Sequence, residues 1–347
     1  MDPGLNPADA LPGAAQWKET VAKYREPSTA SAVWQLANSF LPYFGLWYAM
    51  YWSLSVSNWL TLLFAILSLG FLVRIFIIFH DCGHGSFLKS RRANDIVGFI
   101  AGVVTFTPYL HWSWQHAIHH GTSGDLDRRG SGDLWTLTVQ EYLEASRWKR
   151  FAYRMARNPF CLFIVGPFVV FIVIQRFPSP KAPPRQRNSV AWTNLALLGV
   201  ACAMSLAFGV TEFLLIQLSI TTIVGAVGIW LFYVQHQFEG VYWERGAKWD
   251  YTAAAMQGSS FYKLPRILQW LTGNIGFHHI HHLSPRIPNY KLQKCHDAEP
   301  LFQKVKTVTL WTSLASLPLR LWDERGKNMV GYRALRHFRW LKAQGLY

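Results

Sequence analysis

Residues 278–282 read H-H-I-H-H, four histidines in five positions. On a helix, positions i, i+3 and i+4 share a face, so His278, His281 and His282 converge on one point, while His279 lies about 100° round the helix. The spacing recurs in H-A-I-H-H, where His116, His119 and His120 repeat it, and in H-D-C-G-H, where His80 and His84 stand one turn apart. A lone His236 sits in Y-V-Q-H-Q. Neutral imidazole is the commonest side-chain metal ligand. A zinc ion takes four ligands, or three and a water when catalytic. Nine imidazoles therefore exceed one ion and suit two, with open positions between them. The set is rich in nitrogen and lacks a thiolate pair. Imidazole suits iron, zinc, copper or nickel, so ligand type alone does not choose; a membrane site without a proteolytic motif favours redox iron. His111, one turn before the second cluster on a Trp-rich stretch, reads better as a hydrogen-bonded interfacial histidine than as a ligand. The plain alternatives are a solvated polar run for the last cluster and incidental histidines at a helix end for the first.

Such clusters need elements that bring their ends together. The chain has 347 residues, 51% hydrophobic and only 15% charged, a balance that points to a polytopic membrane protein. Its +15 formal charge fits loops facing anionic lipid, because the basic residues flank apolar runs; no nucleic-acid-binding motif accompanies them. Cys82, Cys161, Cys202 and Cys295 form no C-x-x-C pair and suggest neither a disulfide frame nor an iron–sulfur cluster. Residues 1–30 lack a signal-peptide core and read as a cytoplasmic tail, partly ordered at most. Apolar runs at Trp34–Ser53, Asn58–Phe79, Val190–Val210 and Phe213–Val234 are each about long enough to span. Asp95–Pro108 is short and reads as a dip along the interface. Pro159–Gln175 has basic residues on both sides and Gly166-Pro167 at its centre, so it reads as re-entrant or interfacial. Parity supports this: for the clusters to build one site, the chain between them must cross an even number of times.

The expected architecture is all-α. It is a polytopic membrane protein with four transmembrane helices, both termini inside, and a cytoplasmic helical cap carrying a histidine-rich di-metal site. Residues 31–296 form the membrane domain, and residues 297–347 a basic, helical-looking segment on the membrane surface. Asp125, Asp127 and Asp133 in the polar loop Gly121–Leu134 are available to accept hydrogen bonds from ligands.

The boxes H-D-C-G-H, H-A-I-H-H and H-H-I-H-H, in this order, resemble those of the membrane fatty acid desaturases. The resemblance covers roughly Trp34 to His296. The run H-D-C-G-H-G-S is especially similar to acyl-lipid desaturases of the Δ12 (ω6) kind. Y-V-Q-H-Q and H-H-L-S-P-R-I-P-N-Y resemble the family's sequence after the last span and after the third box. The resemblance implies that His80, His84, His116, His119, His120, His236, His278, His281 and His282 hold two non-haem irons. It also implies that O2 is the co-substrate and is reduced to water as two hydrogens leave an acyl chain borne by a lipid, coenzyme A or carrier protein. His279 and His111 are additional to the pattern, which leaves the choice between His278 and His279 open. The acyl chain would lie in an apolar tunnel walled by the inner halves of the spans and the segments around Trp112, Trp114 and Trp230. No flavin, nicotinamide or fused haem fingerprint is present, so electrons would come from a ferredoxin or a cytochrome b5-type donor docking on the basic face, with Lys149, Arg150 and Arg154 as candidate contacts. Regiospecificity is not readable from the chain.

Three rival readings remain. A hydroxylase or ketolase would use the same boxes. An intramembrane zinc protease needs a glutamate in H-E-x-x-H, where this chain has Asp81. A metal or haem transporter would place ionisable residues at mid-span, whereas these crowd the span ends.

Overall fold

A computed structural model describes residues 14–130 and 132–344. Its frame is a set of long helices: α2 (Thr29–Ser53), α3 (Asn58–His84), α9 (Pro184–Phe208) and α10 (Val210–His236). Helices α3, α9 and α10 are long and apolar enough to cross a membrane, and the number reaches five if each of two bent helix pairs is one span. Helix α2, 25 residues long, would reach about 37 Å. It carries Gln35, Asn38 and three serines, and it is not among the three. Its residues Tyr43, Trp47 and Met50 pack with Leu72, Ile75 and Ile78 of α3 and Phe213, Ile216 and Ile220 of α10. The outward faces stay apolar: Trp34, Leu41, Trp59, Ile66, Leu195, Leu198 and Leu215 are all exposed. In water this surface would aggregate; in lipid it costs nothing.

The two bent pairs account for the shorter apolar runs. Helix α4 (Arg91–Val104) meets α5 (Tyr109–Thr122) at 100°, broken at Thr105–Pro108, where Pro108 cannot continue the preceding helix. After β1 (Leu137–Thr138) and α6 (Val139–Glu144), helix α7 (Arg147–Ala156) meets the helical segment Cys161–Arg176 at 62°. That break precedes Gly166-Pro167. Pro167 instead lies in α8 (Gly166–Phe168), a single turn between π stretches at Cys161–Val165 and Val169–Val173. The segment does not run the length of α10. Phe163 packs edge-on to Trp230 and Tyr233, and Phe171 and Pro167 reach Gly225, where any Cβ would lie 2.8–2.9 Å from them. The chain then returns to α5, with the Ser179 N–H donating to His111.

Beyond α10 the chain folds into a cap: α11 (Tyr251–Gln257), β2 (Phe261–Lys263), α12 (Arg266–Leu271), α13 (His278–Leu283), α14 (Asn289–Asp297), β3 (Thr307–Thr309), β4 (Leu321–Asp323), β5 (Asn328–Val330) and α15 (Leu335–Ala343). The chain is mostly helical, yet two small sheets depart from the all-α expectation. Strand β2 pairs in parallel with β3, and β4 pairs in parallel with β1 and antiparallel with β5. The expectation of a helical-looking C-terminal segment is corrected by those strands. Phe302, Leu321 and Trp322 are buried, and the segment is woven into the cap. Part of the N-terminal tail is a packed helix. Helix α1 (Ala14–Ala22) presents Trp17 and Val21 to Phe277, Ile280, Leu283 and Ile287 around the third histidine box. Amphipathic spacing too short to signal a helix alone is held there by tertiary packing. Residues 1–13 lie outside the described residues.

Candidate metal centre

Each histidine cluster sits where a helix can aim it. His80 and His84 occupy the last turn of α3, which stops at Gly85 in the left-handed region at φ 66°; a side chain there would strain the backbone. His116, His119 and His120 line one face of α5. His236 is the last residue of α10. His278, His281 and His282 share a face of α13. The ends of α3 and α10 and the helices α5 and α13 therefore meet on one side of the helical frame.

The nine sequence-predicted ligands come together. Ligand nitrogens of His80, His84, His116, His120 and His281 all lie within 4.8 Å of one another, and those of His119, His236 and His282 form a second such group. His278 joins the second group through His236, with Nε2 atoms 2.9 Å apart. The groups adjoin where the rings of His120 and His282 stack at 4.2 Å. His279 turns away and pairs with His296, at 3.1 Å between Nε2 and Nδ1, so of the adjacent histidines His278 faces the site. His111 accepts from the backbone of Ser179 at 2.9 Å and stands apart, as the interfacial reading expects.

The outer ring nitrogens decide what the inner ones can do. His80 Nδ1 is 3.0 Å from Asp81 Oδ1, His119 Nδ1 is 2.5 Å from Asp133 Oδ1, and His236 Nδ1 is 3.2 Å from the Gly258 carbonyl oxygen. An acceptor at Nδ1 places the single proton of a neutral imidazole there and bares Nε2. His119 Nε2 and His236 Nε2 then face each other as two lone pairs at 3.3 Å, a repulsive arrangement unless a cation joins them. Separations of 2.9 and 3.3 Å bring these nitrogens close enough to share one ion. Buried His84 Nε2 and His282 Nε2 have no hydrogen-bond partner, which also fits ligation. Burial, reinforced by neighbouring imidazoles, pushes His278, His281 and His282 far below the usual imidazole range, so they stay neutral and able to donate lone pairs. The donor set fits two metal ions, one in each group.

Of the loop acids, only Asp133 meets the site. Asp125 accepts from Arg128, and Asp127 pairs with Arg245. Sequence reasoning missed Asp81 as a ligand-holder, along with Asn289, whose backbone N–H and side-chain amide both donate to Asp81 Oδ2 at 2.7 and 2.9 Å. The adjacency of Asp81 to His80 was the available signal. Asn289 offered none, since only the fold brings it there. Among the expected tunnel aromatics, Trp112 stacks on His116 at 4.3 Å and joins Phe76 and Phe79 in an aromatic floor beside the first box. Trp230 stacks on Tyr233, and Trp114 lies by His111.

A family model described as fatty acid desaturase matches residues 57–312. A curated fatty acid desaturase of Bacillus subtilis is 52% identical over 322 residues, covering 93% of this chain and 92% of the relative. An sn-1 oleoyl-lipid 12-desaturase of Synechocystis sp. is 28% identical, over 80% of this chain and 77% of its own length. An sn-1 acyl-lipid omega-3 desaturase (ferredoxin) of the same organism is 25% identical, over 65% and 63%.

Proposed function

This chain belongs to the fatty acid desaturase family, and from that premise we propose that it introduces a cis double bond into an acyl chain at two histidine-held irons, in the manner of Δ12/ω6 acyl-lipid enzymes. The observation that carries this is the meeting of nine imidazoles, seven buried and two half-buried, in two adjoining groups, with bare nitrogens turned inward. His80, His84, His116, His120 and His281 would hold one iron, and His119, His236, His278 and His282 the other. Bound there, the irons would supply redox chemistry that no side chain offers, coupling removal of two hydrogens from the acyl chain to reduction of O2 to water.

The protein's part is orientation and exclusion of water. Asp81, Asp133 and the Gly258 carbonyl keep protons on the outer nitrogens. Trp112, Phe76 and Phe79 present an apolar floor beside His80 and His116 along which an acyl chain can lie. A dry, shaped approach limits which carbon–carbon bond comes near the site. The zinc-protease alternative loses its general base, because Asp81 is committed to His80 and Asn289 on its two oxygens.

In the membrane, α2 completes four spans with α3, α9 and α10, and the site faces the cytoplasm at residues 31–296. The segment before it and residues 297–347 attach to that domain from the same side. Electrons arrive from a ferredoxin or cytochrome b5-type protein. The name of the omega-3 relative supports the former, and basic Lys149, Arg150 and Arg154 suit an acidic partner.

Expression in a host with simple lipids, followed by fatty-acid profiling, tests the activity. A new cis-unsaturated acid is expected from the unaltered chain. His281→Ala should abolish it while the protein still inserts in the membrane. Retained hydroxyl products would move the reading to a hydroxylase, and full activity in His281→Ala would remove that residue from the ligand set.

A further inference from the structure

Asp81 is held by more than its neighbour. Its Oδ1 faces His80 Nδ1 at 3.0 Å, and its Oδ2 accepts both the backbone N–H and the side-chain amide of Asn289. Asn289 Oδ1 in turn accepts from Gln35 Nε2 at 3.0 Å. All four residues are buried, none more than 4% exposed. The chain of contacts joins α2, the end of α3 and the start of α14, segments more than 200 residues apart in two of its three links.

A strap reinforces this junction. Arg25 Nε donates to Ser284 Oγ at 3.0 Å, the Ser28 N–H donates to Tyr290 Oη at 2.9 Å, and Lys291 Nζ donates to the Glu26 carbonyl at 2.5 Å. Tyr290 Oη also donates to the Phe87 carbonyl at 3.1 Å, just past the first box. Residues 25–35 and 284–291 are thereby fastened to each other and to box one.

The three-histidine group has a separate support. Asp133 holds His119 and takes a hydrogen bond from the Gly130 N–H at 3.2 Å, and the Gly258 carbonyl holds His236. None of these touches Asp81, Asn289 or Gln35.

We propose that Asn289, backed by Gln35, is a positioning residue that acts through Asp81 on His80 and sets metal occupancy of the five-histidine position independently of the position formed by His119, His236, His278 and His282. A carboxylate gripped twice on one oxygen cannot rotate, so the other stays aimed at His80 Nδ1. The proton stays on Nδ1, and Nε2 stays turned toward His84, His116, His120 and His281. Without the Asn289 amide, Oδ2 keeps only the backbone N–H, so Asp81 is held at one point instead of two and His80 is less firmly oriented. Buried networks of this kind act as a unit, so loss of one member is felt at the far end. Removal of an outer partner of a metal-ligating histidine typically weakens metal binding about 10–100-fold. The inference rests on the two-metal reading above.

The test titrates the metal-free, full-length protein in detergent with Co2+ followed by its visible spectrum, and with anaerobic Fe2+ followed by elemental analysis. The unaltered chain should take two ions. Asn289→Ala should take one with unchanged affinity and the second about 10–100-fold more weakly, with metal-free thermal stability close to the parent's. Asp133→Ala should weaken the other ion and change the other part of the Co2+ spectrum. Gln35→Leu, which leaves Asp81 and Asn289 in place, should shift the same ion as Asn289→Ala by a smaller factor; it serves if Asn289→Ala fails to fold. Unchanged binding of both ions in the Asn289 and Gln35 variants, or equal weakening of both, overturns the inference and leaves the two-metal reading intact. Failure of the unaltered chain to bind two ions overturns both.

Discussion

Acid should destabilise the metal-free protein more steeply than its few exposed carboxylates can explain. His278, His281 and His282 are buried, and burial holds each far below the ordinary imidazole value when folded. Released into an unfolded chain, they take protons near pH 6.5. The unfolded state thus binds more protons than the folded one below that pH, so stability rises with pH there and is lost on acidification. Each group that remains neutral when folded costs about 1.4 kcal/mol between pH 7.5 and 5.5, and the three together about 4 kcal/mol. For a chain of this length that corresponds to a fall of roughly 5–10 °C in melting temperature. Intrinsic-fluorescence melts of chelator-treated protein in detergent at the two pH values would measure it. The triple change of His278, His281 and His282 to Gln should remove that much of the slope. A melting temperature that holds or rises on going from pH 7.5 to 5.5 would refute the claim that these imidazoles are buried and neutral. Metal binding should weaken in the same direction, because protons compete for the same lone pairs.

Two further outcomes test the frame. Trp17→Ala should lower stability by about 3–5 kcal/mol, read as an earlier melt, because Trp17 is buried against the third-box helix; an unchanged melt would mean that α1 does not pack there in solution. Lys149→Cys, with Cys161 and Cys202 changed to Ser and the buried Cys82 and Cys295 retained, should react with a membrane-impermeant maleimide in inside-out vesicles and not in intact cells. Labelling in intact cells would overturn the cytoplasmic placement of the cap.

The helices that carry apolar runs were legible because their length and composition are local properties. Helices α3, α9 and α10 follow directly from them. What composition could not show was how Pro167 is absorbed. Isolated prolines are expected to break helices, but π stretches on both sides of α8 let the segment continue, so the bend fell earlier, between α7 and Cys161. Helix α1 and the C-terminal strands left little trace in the sequence for a related reason. Residues 14–22 and 307–330 have weak patterns of their own, and their structure comes from partners: Phe277 and Ile280 for the first, and β1 and β2 for the second. Short strands that pair across some 180 residues leave almost no local signature.

The site divides along the same line. Ligand histidines repeat at i, i+3 and i+4, a period that any α-helix converts into a face, so the spacing favoured His278, His281 and His282 while the choice between His278 and His279 stayed open until the fold turned His279 away. The rotation that takes His279 out of the cluster puts it against His296, on the opposite side of α13. The groups that govern the ligands carry no such periodicity. Asp133 was one of three acids in a polar loop with nothing to rank them, and Asn289 was one asparagine after a proline. What selects them is distance in the folded chain, since an acceptor matters only where it reaches an Nδ1. A two-metal site read from sequence is therefore a list of nitrogens without a proton inventory. That inventory, fixed by Asp81, Asp133 and the Gly258 carbonyl, is what turns His119 and His236 into facing lone pairs 3.3 Å apart. A cation seated between those nitrogens would take both lone pairs, and protons compete with it for the same atoms, so metal affinity follows the proton inventory as much as the list of ligands.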